Sequence, residues 1–249
     1  MAAVTSEEAK VLSEFRKRVS DVLKNKEQNE DIFLIRWMRA RDLNLDKAEN
    51  MLRNSLKWRE ENNVDKVLEV KFDPFYSHEF PCTVLSQDKI GNPVLAIPLG
   101  KWDFREIVSQ GKTEEFKLYV SYVFETIMEG MRERNLKRNP DLLPISQVTV
   151  VCDWDSFSYM QLVNIKAVQQ LLHMASVFDA HYPEILYHCF FLNCPSFFNI
   201  FLAMLKPVLA PKTLGKITIH GSNMSEWEPA VHEVIEPDQL HVVLRSLKL

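Results

Sequence analysis

Three short apolar runs, "QVTVVCDWD", "YHCFFLNC" and "KITIH", alternate with segments of helical period, and this alternation constrains the chain more than any other feature. Strand, helix, strand, helix, strand in that order implies a mainly parallel sheet with right-handed crossovers. Upstream, "CTVLSQDKIGNPVLAIPL" reads as two strands around a turn at Asp88–Asn92. Between these regions, Phe116, Tyr119, Val120, Val123, Phe124, Ile127 and Met131 recur at three and four, the spacing of a long amphipathic helix.

Before Pro74 the pattern is helical throughout. Val11, Leu12, Phe15, Val19, Val22 and Leu23 share one helix face, and "DIFLIRWMRAR" places acid first and arginine late, as the helix dipole favours. In "LDKAENMLRNSLKWREENNV", Asp46 followed by Glu49 makes a capping-box pattern, and Glu49 with Arg53 an i,i+4 pair. The expectation is an α/β protein in two parts, a helical module over 1–74 and a sheet covered by helices over 75–249.

The 249 residues are 46% hydrophobic and 26% charged, the balance of a globular protein with a real core. A formal net charge of −4 argues against nucleic acid as a partner, so a membrane contact has to use a local patch. The first residues, "MAAVTSEEAKVLSEF", do not read as a signal peptide. No apolar run approaches the roughly 20 residues that span a bilayer. Cys82, Cys152, Cys189 and Cys194 show no CxxC spacing and read as reduced core residues of a cytoplasmic protein.

A parallel sheet invites nucleotide chemistry, but the chain has only six glycines, and no GxGxxG follows a strand. "QGKT" at 110–113 ends like a P-loop, yet the position that needs its first glycine is Glu106. There is no GxSxG elbow and no HxxxH pair, so neither a catalytic nucleophile, a metal nor a cofactor is expected. Asp153 and Asp155 lie just past a strand end, and unaided they read as a solvated loop or helix cap.

"PSFFNIFLAML" raises a different question. From Phe197 to Leu205 only Asn199 is polar, so the helix has no polar face to give to water. From periodicity alone it is a helix buried between sheet and neighbours. Exposing eight such side chains would forfeit on the order of 10–20 kcal/mol at about 1.5–3 each.

Several stretches together resemble the CRAL-TRIO lipid-binding family. "FLIRWMRARDLNLDKAENMLRNSLKWREENNVD" is similar to its N-terminal helical module, and "GNPVLAIPLGKWD" to its first strand pair. "VTVVCDWDSFS", "HYPEILYHCFFLNCPSFF" and "LKPVLAPKTLGKITIHGSN" follow in the family's order, from about Glu14 to Leu240. The nearest resemblance is to the branch that handles phosphatidylinositol, squalene, tocopherol and retinoids. It implies a sheet and helices around a lipid cavity of several hundred Å3 or more. It also implies a gate helix of Phe197, Phe198, Phe201, Leu202 and Leu205 that closes over lipid and opens at a membrane. Phe198 and Phe201, three apart, are expected to engage the bilayer.

By the same resemblance Glu184, Thr213 and Lys216 are ligand-binding residues, with Lys216 toward phosphate, Glu184 toward inositol hydroxyls and Thr213 toward a phosphate oxygen. The alternative is a Lys216–Glu184 ion pair that only closes the sheet. Arg36, Arg39 and Arg41 read as ties between the helical module and the lipid domain, with anionic membrane contact as the alternative, and Arg132, Arg134, Lys137 and Arg138 as a solvated helix end. "EPDQLHVVLRSLKL" lacks the family's closing Gly-Gly, and no β-rich GOLD domain is expected after it. The expectation is a monomeric, non-enzymatic carrier in the cytoplasm, transiently at membrane surfaces, binding a hydrophobic small molecule or phospholipid. A lipid sensor without net transfer is the runner-up, and an α/β oxidoreductase a third class.

Overall fold

The computed structural model describes residues 4–139 and 141–247; residues 1 and 249, the outer limits of the two predicted parts, lie outside them. Three helices come first: α1 (Ser6–Val19), α2 (Asp31–Arg39) and α3 (Leu45–Glu61). Thr5 and Glu8 cap α1 reciprocally, each side chain taking the other's backbone N–H. The cap of α3 is Asn44, whose side chain accepts from the Lys47 backbone N–H, not the expected Asp46. Asp46 sits inside the first turn and is held by Arg18 at 2.6 Å. Leu12, Phe15, Leu34, Trp37, Met38 and Leu52 form this module's own core.

After α4 (Pro74–Glu79), strands β1 (Thr83–Gln87) and β2 (Pro93–Ile97) form an antiparallel hairpin. The expected turn between them is locked by Asp88, which is buried. One of its oxygens takes the Asn92 and Ile90 backbone N–H groups, and the other takes the Asn92 amide and the Thr149 hydroxyl. The chain continues through α5 (Phe104–Ser109), α6 (Thr113–Leu136), β3 (Val148–Asp153), α7 (Tyr159–Val163), α8 (Ile165–His181), β4 (Leu186–Leu192) and α9 (Phe198–Leu205). It ends in α10 (Pro211–Leu214), β5 (Ile217–Ile219), α11 (Met224–His232) and α12 (Pro237–Leu247).

The five strands lie in sequence order, β2 to β5 all parallel, as the alternation requires. Strand side chains alternate between two cores. Val150, Cys152, Cys189 and Phe191 face α5, α6, α8 and α9. Val94, Ala96, Val151, Phe190 and Leu192 face α11 and α12. The segment 159–178, of helical period throughout, breaks at Asn164. There the side chain leaves α7 behind and caps α8 by accepting from the Ala167 backbone N–H at 3.1 Å.

The helical module joins the sheet domain through α3. Arg59 holds Glu125 of α6 with two bonds of 2.7 and 3.1 Å, and the Tyr182 hydroxyl donates to the same carboxylate at 2.7 Å. Trp58 stacks flat on His181 at 3.8 Å. Of the arginines expected as ties, Arg39 lies at the junction with α10, its carbonyl taking the Lys212 ammonium. Arg36 is buried over the Phe33 ring, where desolvation pulls its guanidinium down to about 10. Arg39 pairs with Glu8, and Arg41 returns to the Ala40 carbonyl. Arg132, in the expected solvated run, pairs with Glu27 and Glu129.

Candidate functional site

Helix α9 lies on the core with Phe198, Phe201 and Leu205 inward, all three at most 3% exposed. Beneath them is Trp154, the residue between the two aspartates of "DWD", with ring centroids 4.6 Å from Phe198 and 5.2 Å from Phe201. Phe157 and Phe191 close the cluster from the loop and from β4, at 5.0 and 5.2 Å from the same indole. These rings lie directly beneath α9, and Phe198 and Phe201 face them rather than the outside.

Period alone does not give this orientation. Residues three apart share a helix face, but hydrophobicity alone does not say which face meets the core when both are apolar. The exposed positions of α9 are Asn199, Ile200 and Ala203; Leu202 is half-buried. Phe197, at the N-terminal boundary, is half-buried against Tyr159 of α7 at 5.4 Å. Lifting α9 into water thus re-exposes three large buried side chains, about 5–9 kcal/mol at 1.5–3 each, rather than eight.

Continuing outward from Phe197, α7 and the start of α8 carry Tyr159, Met160, Val163 and Ile165 on the surface, with Ile165 75% exposed. Met160, Val163 and Ile165 border a hollow of about 540 Å3 that is flanked by Arg105 and Lys166. No sequence signal placed this patch outside, because the same residues fit a buried helix equally well.

Of the predicted polar trio, two come together. Lys216 Nζ donates to Glu184 at 3.0 Å, with both side chains at least three-quarters shielded from water. Glu184 is held in the left-handed region at φ 60°, its carbonyl accepting from the Gln147 amide at 3.2 Å. The Lys216 carbonyl takes the Cys189 N–H, which fixes the first residue before β5. Thr213 turns elsewhere. Its hydroxyl donates at 2.7 Å to Asp179 of α8, and the same oxygen accepts the Ala210 N–H. Asp179 went unnoticed in the sequence, where a single acid near a helix end carries no signal.

Around this pair the chain is rich in charge. Lys212 of α10 reaches the Arg39 carbonyl at 2.7 Å and Asp42 at 2.5 Å. Arg39 holds the Glu8 carboxyl far down, at about 2. Arg39 is itself kept charged by Glu8 first and also by Glu184.

Asp153 accepts from the Asn193 amide at 2.8 Å and from the Asp155 N–H at 3.0 Å, a loop clasp of the expected kind. Gly100 presses so closely on this loop that a Cβ there would fall 2.0 Å from the Asp155 carbonyl oxygen. Among the described residues no three His, Cys, Asp or Glu side chains gather as a metal site, and no helix is long and apolar enough to cross a membrane. The four cysteines are unpaired, and burial pushes the Cys82 and Cys194 thiols up, the latter to about 12.

A mixed sheet in sequence order, helices on both of its faces and an apolar helix packed over Trp154 are the frame of this site. The CRAL/TRIO domain family matches residues 77–244, and the chain belongs to that family, whose general property is binding lipids and similar hydrophobic molecules. A CRAL-TRIO domain-containing protein of Caenorhabditis elegans is 28% identical over 207 residues, 83% of this chain and 28% of that protein. "Protein real-time" of Aedes aegypti is 27% identical over 212 residues, 84% of this chain and 32% of that one. The chain thus spans about a third or less of these relatives' length. The crystal structure of Sfh5 superposes with a TM-score of 0.71, covering 92% of this chain and 85% of that one at 15% identity, which establishes the fold.

Proposed function

We propose that this chain is a non-enzymatic carrier that takes a lipid under α9 and exchanges it with membranes. It docks on an anionic bilayer through the outer surface of α7, the start of α8 and Ile200 of α9. The observation that supports this reading most is the continuity of that surface with the seal. Met160 and Val163 are 55% and 52% exposed, the strip runs through Tyr159 and Phe197 into α9, and Arg105 and Lys166 flank it. Large apolar side chains rimmed by cations suit the headgroup boundary of a bilayer. Contact there lowers the 5–9 kcal/mol cost of lifting α9, because Phe198, Phe201 and Leu205 then meet lipid instead of water. Lys216 and Glu184 supply the polar contact for a headgroup, with Thr213 secondary to them.

The test is lipid transfer between vesicles containing phosphatidylserine, by the wild type and by Val163→Asp/Ile200→Asp. Both positions are exposed, so the fold is retained. Transfer falls about tenfold or more, as expected when side chains worth roughly 1.5–3 kcal/mol each no longer enter the interface. Unchanged transfer by the folded variant removes this docking face. Lipid binding by the wild type without any vesicle-to-vesicle transfer turns the carrier into a sensor.

A further inference from the structure

We infer that the lipid held under α9 presents an oxygen acceptor to the indole N–H of Trp154, so that the site selects oxygenated lipids over hydrocarbons. The inference rests on the lipid-binding reading above. Trp154 is 1% exposed, and its Nε1 has no hydrogen-bond partner among the described residues. An indole N–H can only donate, and a buried donor without an acceptor is a standing cost to the fold. The neighbours are four phenylalanines, whose ring faces are far weaker acceptors than a carbonyl or hydroxyl.

The backbone at this residue is clamped from two sides. The Trp154 N–H donates to the Leu192 carbonyl at 2.9 Å. On the other side, Gly100 packs so tightly that a Cβ would lie 2.5 Å from the Trp154 carbonyl carbon. The indole is thus carried on a fixed support, while two of its four ring neighbours, Phe198 and Phe201, ride on α9. When α9 lifts, the cover leaves and the donor stays.

Three other indole N–H groups are buried without a partner, and their settings differ. Trp37 lies in the core of the helical module and Trp227 on the opposite face of the sheet. Trp102 packs on Phe80 and Phe104, with no ring contact from α9. Trp154 alone among these four has ring contacts with α9, so it is the donor that lies beside the side chains a ligand would replace. A carbonyl, ester or hydroxyl oxygen satisfies it. A pure hydrocarbon leaves it as unpaired as before.

The experiment offers the full chain vesicles containing phosphatidylinositol, cholesterol, α-tocopherol, retinal and squalene in equal amounts. The protein is then reisolated and its lipid identified by mass spectrometry. The wild type retains oxygen-bearing lipids over squalene. Trp154→Phe, which keeps an aromatic ring and removes the donor, shifts the retained ratio toward squalene by about 5- to 100-fold, the loss expected for a buried unpaired acceptor. An unchanged ratio in the folded variant, or a wild type that prefers squalene, overturns the inference and leaves lipid binding in place. Recovery of no lipid at all by the wild type overturns the lipid-binding reading itself. A second measurement does not depend on the variant's folding. In nitrogen-15-labelled wild type, the Trp154 indole proton moves downfield on loading with the retained lipid; a resonance that stays put also overturns the inference.

Discussion

At Lys216 a charge is held by a carboxylate 3.0 Å away, so a phosphate that reaches the ammonium competes with a partner already in place. Competition of this kind favours a ligand able to engage both groups, a phosphate for the lysine and hydroxyls for Glu184. Lys216→Ala is expected to weaken phosphatidylinositol binding by about 10- to 150-fold, the range for a lost charge-assisted hydrogen bond. Tocopherol binding, measured on the same protein, changes much less. Equal losses for both ligands make the pair purely structural. Thr213→Val gives the contrast, because its hydroxyl is already committed to Asp179. Its effect falls on the anchoring of α10 rather than on headgroup affinity.

Among the elements, the break between α7 and α8 sets what the surface presents. Asn164 ends one helix and caps the next, and Ile165, the first residue of α8, is thereby left in solvent. Asn164→Ala removes the cap and is expected to cost about 1 kcal/mol, read as a lower urea midpoint, with Asn164→Asp close to wild type. A midpoint unchanged by the alanine would mean that α8 starts without help from this side chain.

The same break marks the limit of what the sequence reveals. Short continuous apolar runs located the buried strands, and the period of 3.6 located α6, whose opposite face is polar. The helical period ran straight through Asn164, since a cap in the middle of an apolar period changes one residue in many. On α9 the pattern has almost no polar face, so Phe198 and Phe201 were assignable to a shared side but not to the inner one. The Glu184–Lys216 contact was foreseen only as the alternative to a ligand role, at positions that the family resemblance supplied. Trp154 was passed over because the two flanking carboxylates drew attention as chemistry, whereas the site's unsatisfied donor lay between them.

Over the whole molecule, the helical module and the sheet domain meet at a seam where His181 lies flat on Trp58, bonded to the Ser55 hydroxyl at 3.1 Å. Burial, with Arg59 adding to it, drives this imidazole down to about 4. The folded protein thus keeps His181 neutral where the unfolded chain, near the ordinary value of 6.5, takes up a proton. The unfolded state binds more protons between those two values, so stability falls as pH falls from about 6.5 to about 4. His181→Phe keeps the stack and removes the titration. Its urea midpoint should decline less over this range than that of the wild type, and parallel declines would assign the acid sensitivity to other groups.

The sheet's second face has a consequence for how the chain is made. β1 to β5 follow one another across the sheet, so each strand finds its neighbour as soon as it leaves the ribosome. α11 and α12, which cover Val94, Val151, Phe190 and Leu192, follow the last strand of the sheet. They also reach back to the first hairpin, where the Lys89 N–H donates to the Val234 carbonyl at 2.9 Å. During synthesis that greasy face stands bare until α11 and α12 emerge, and a nascent chain paused there offers a chaperone a foothold.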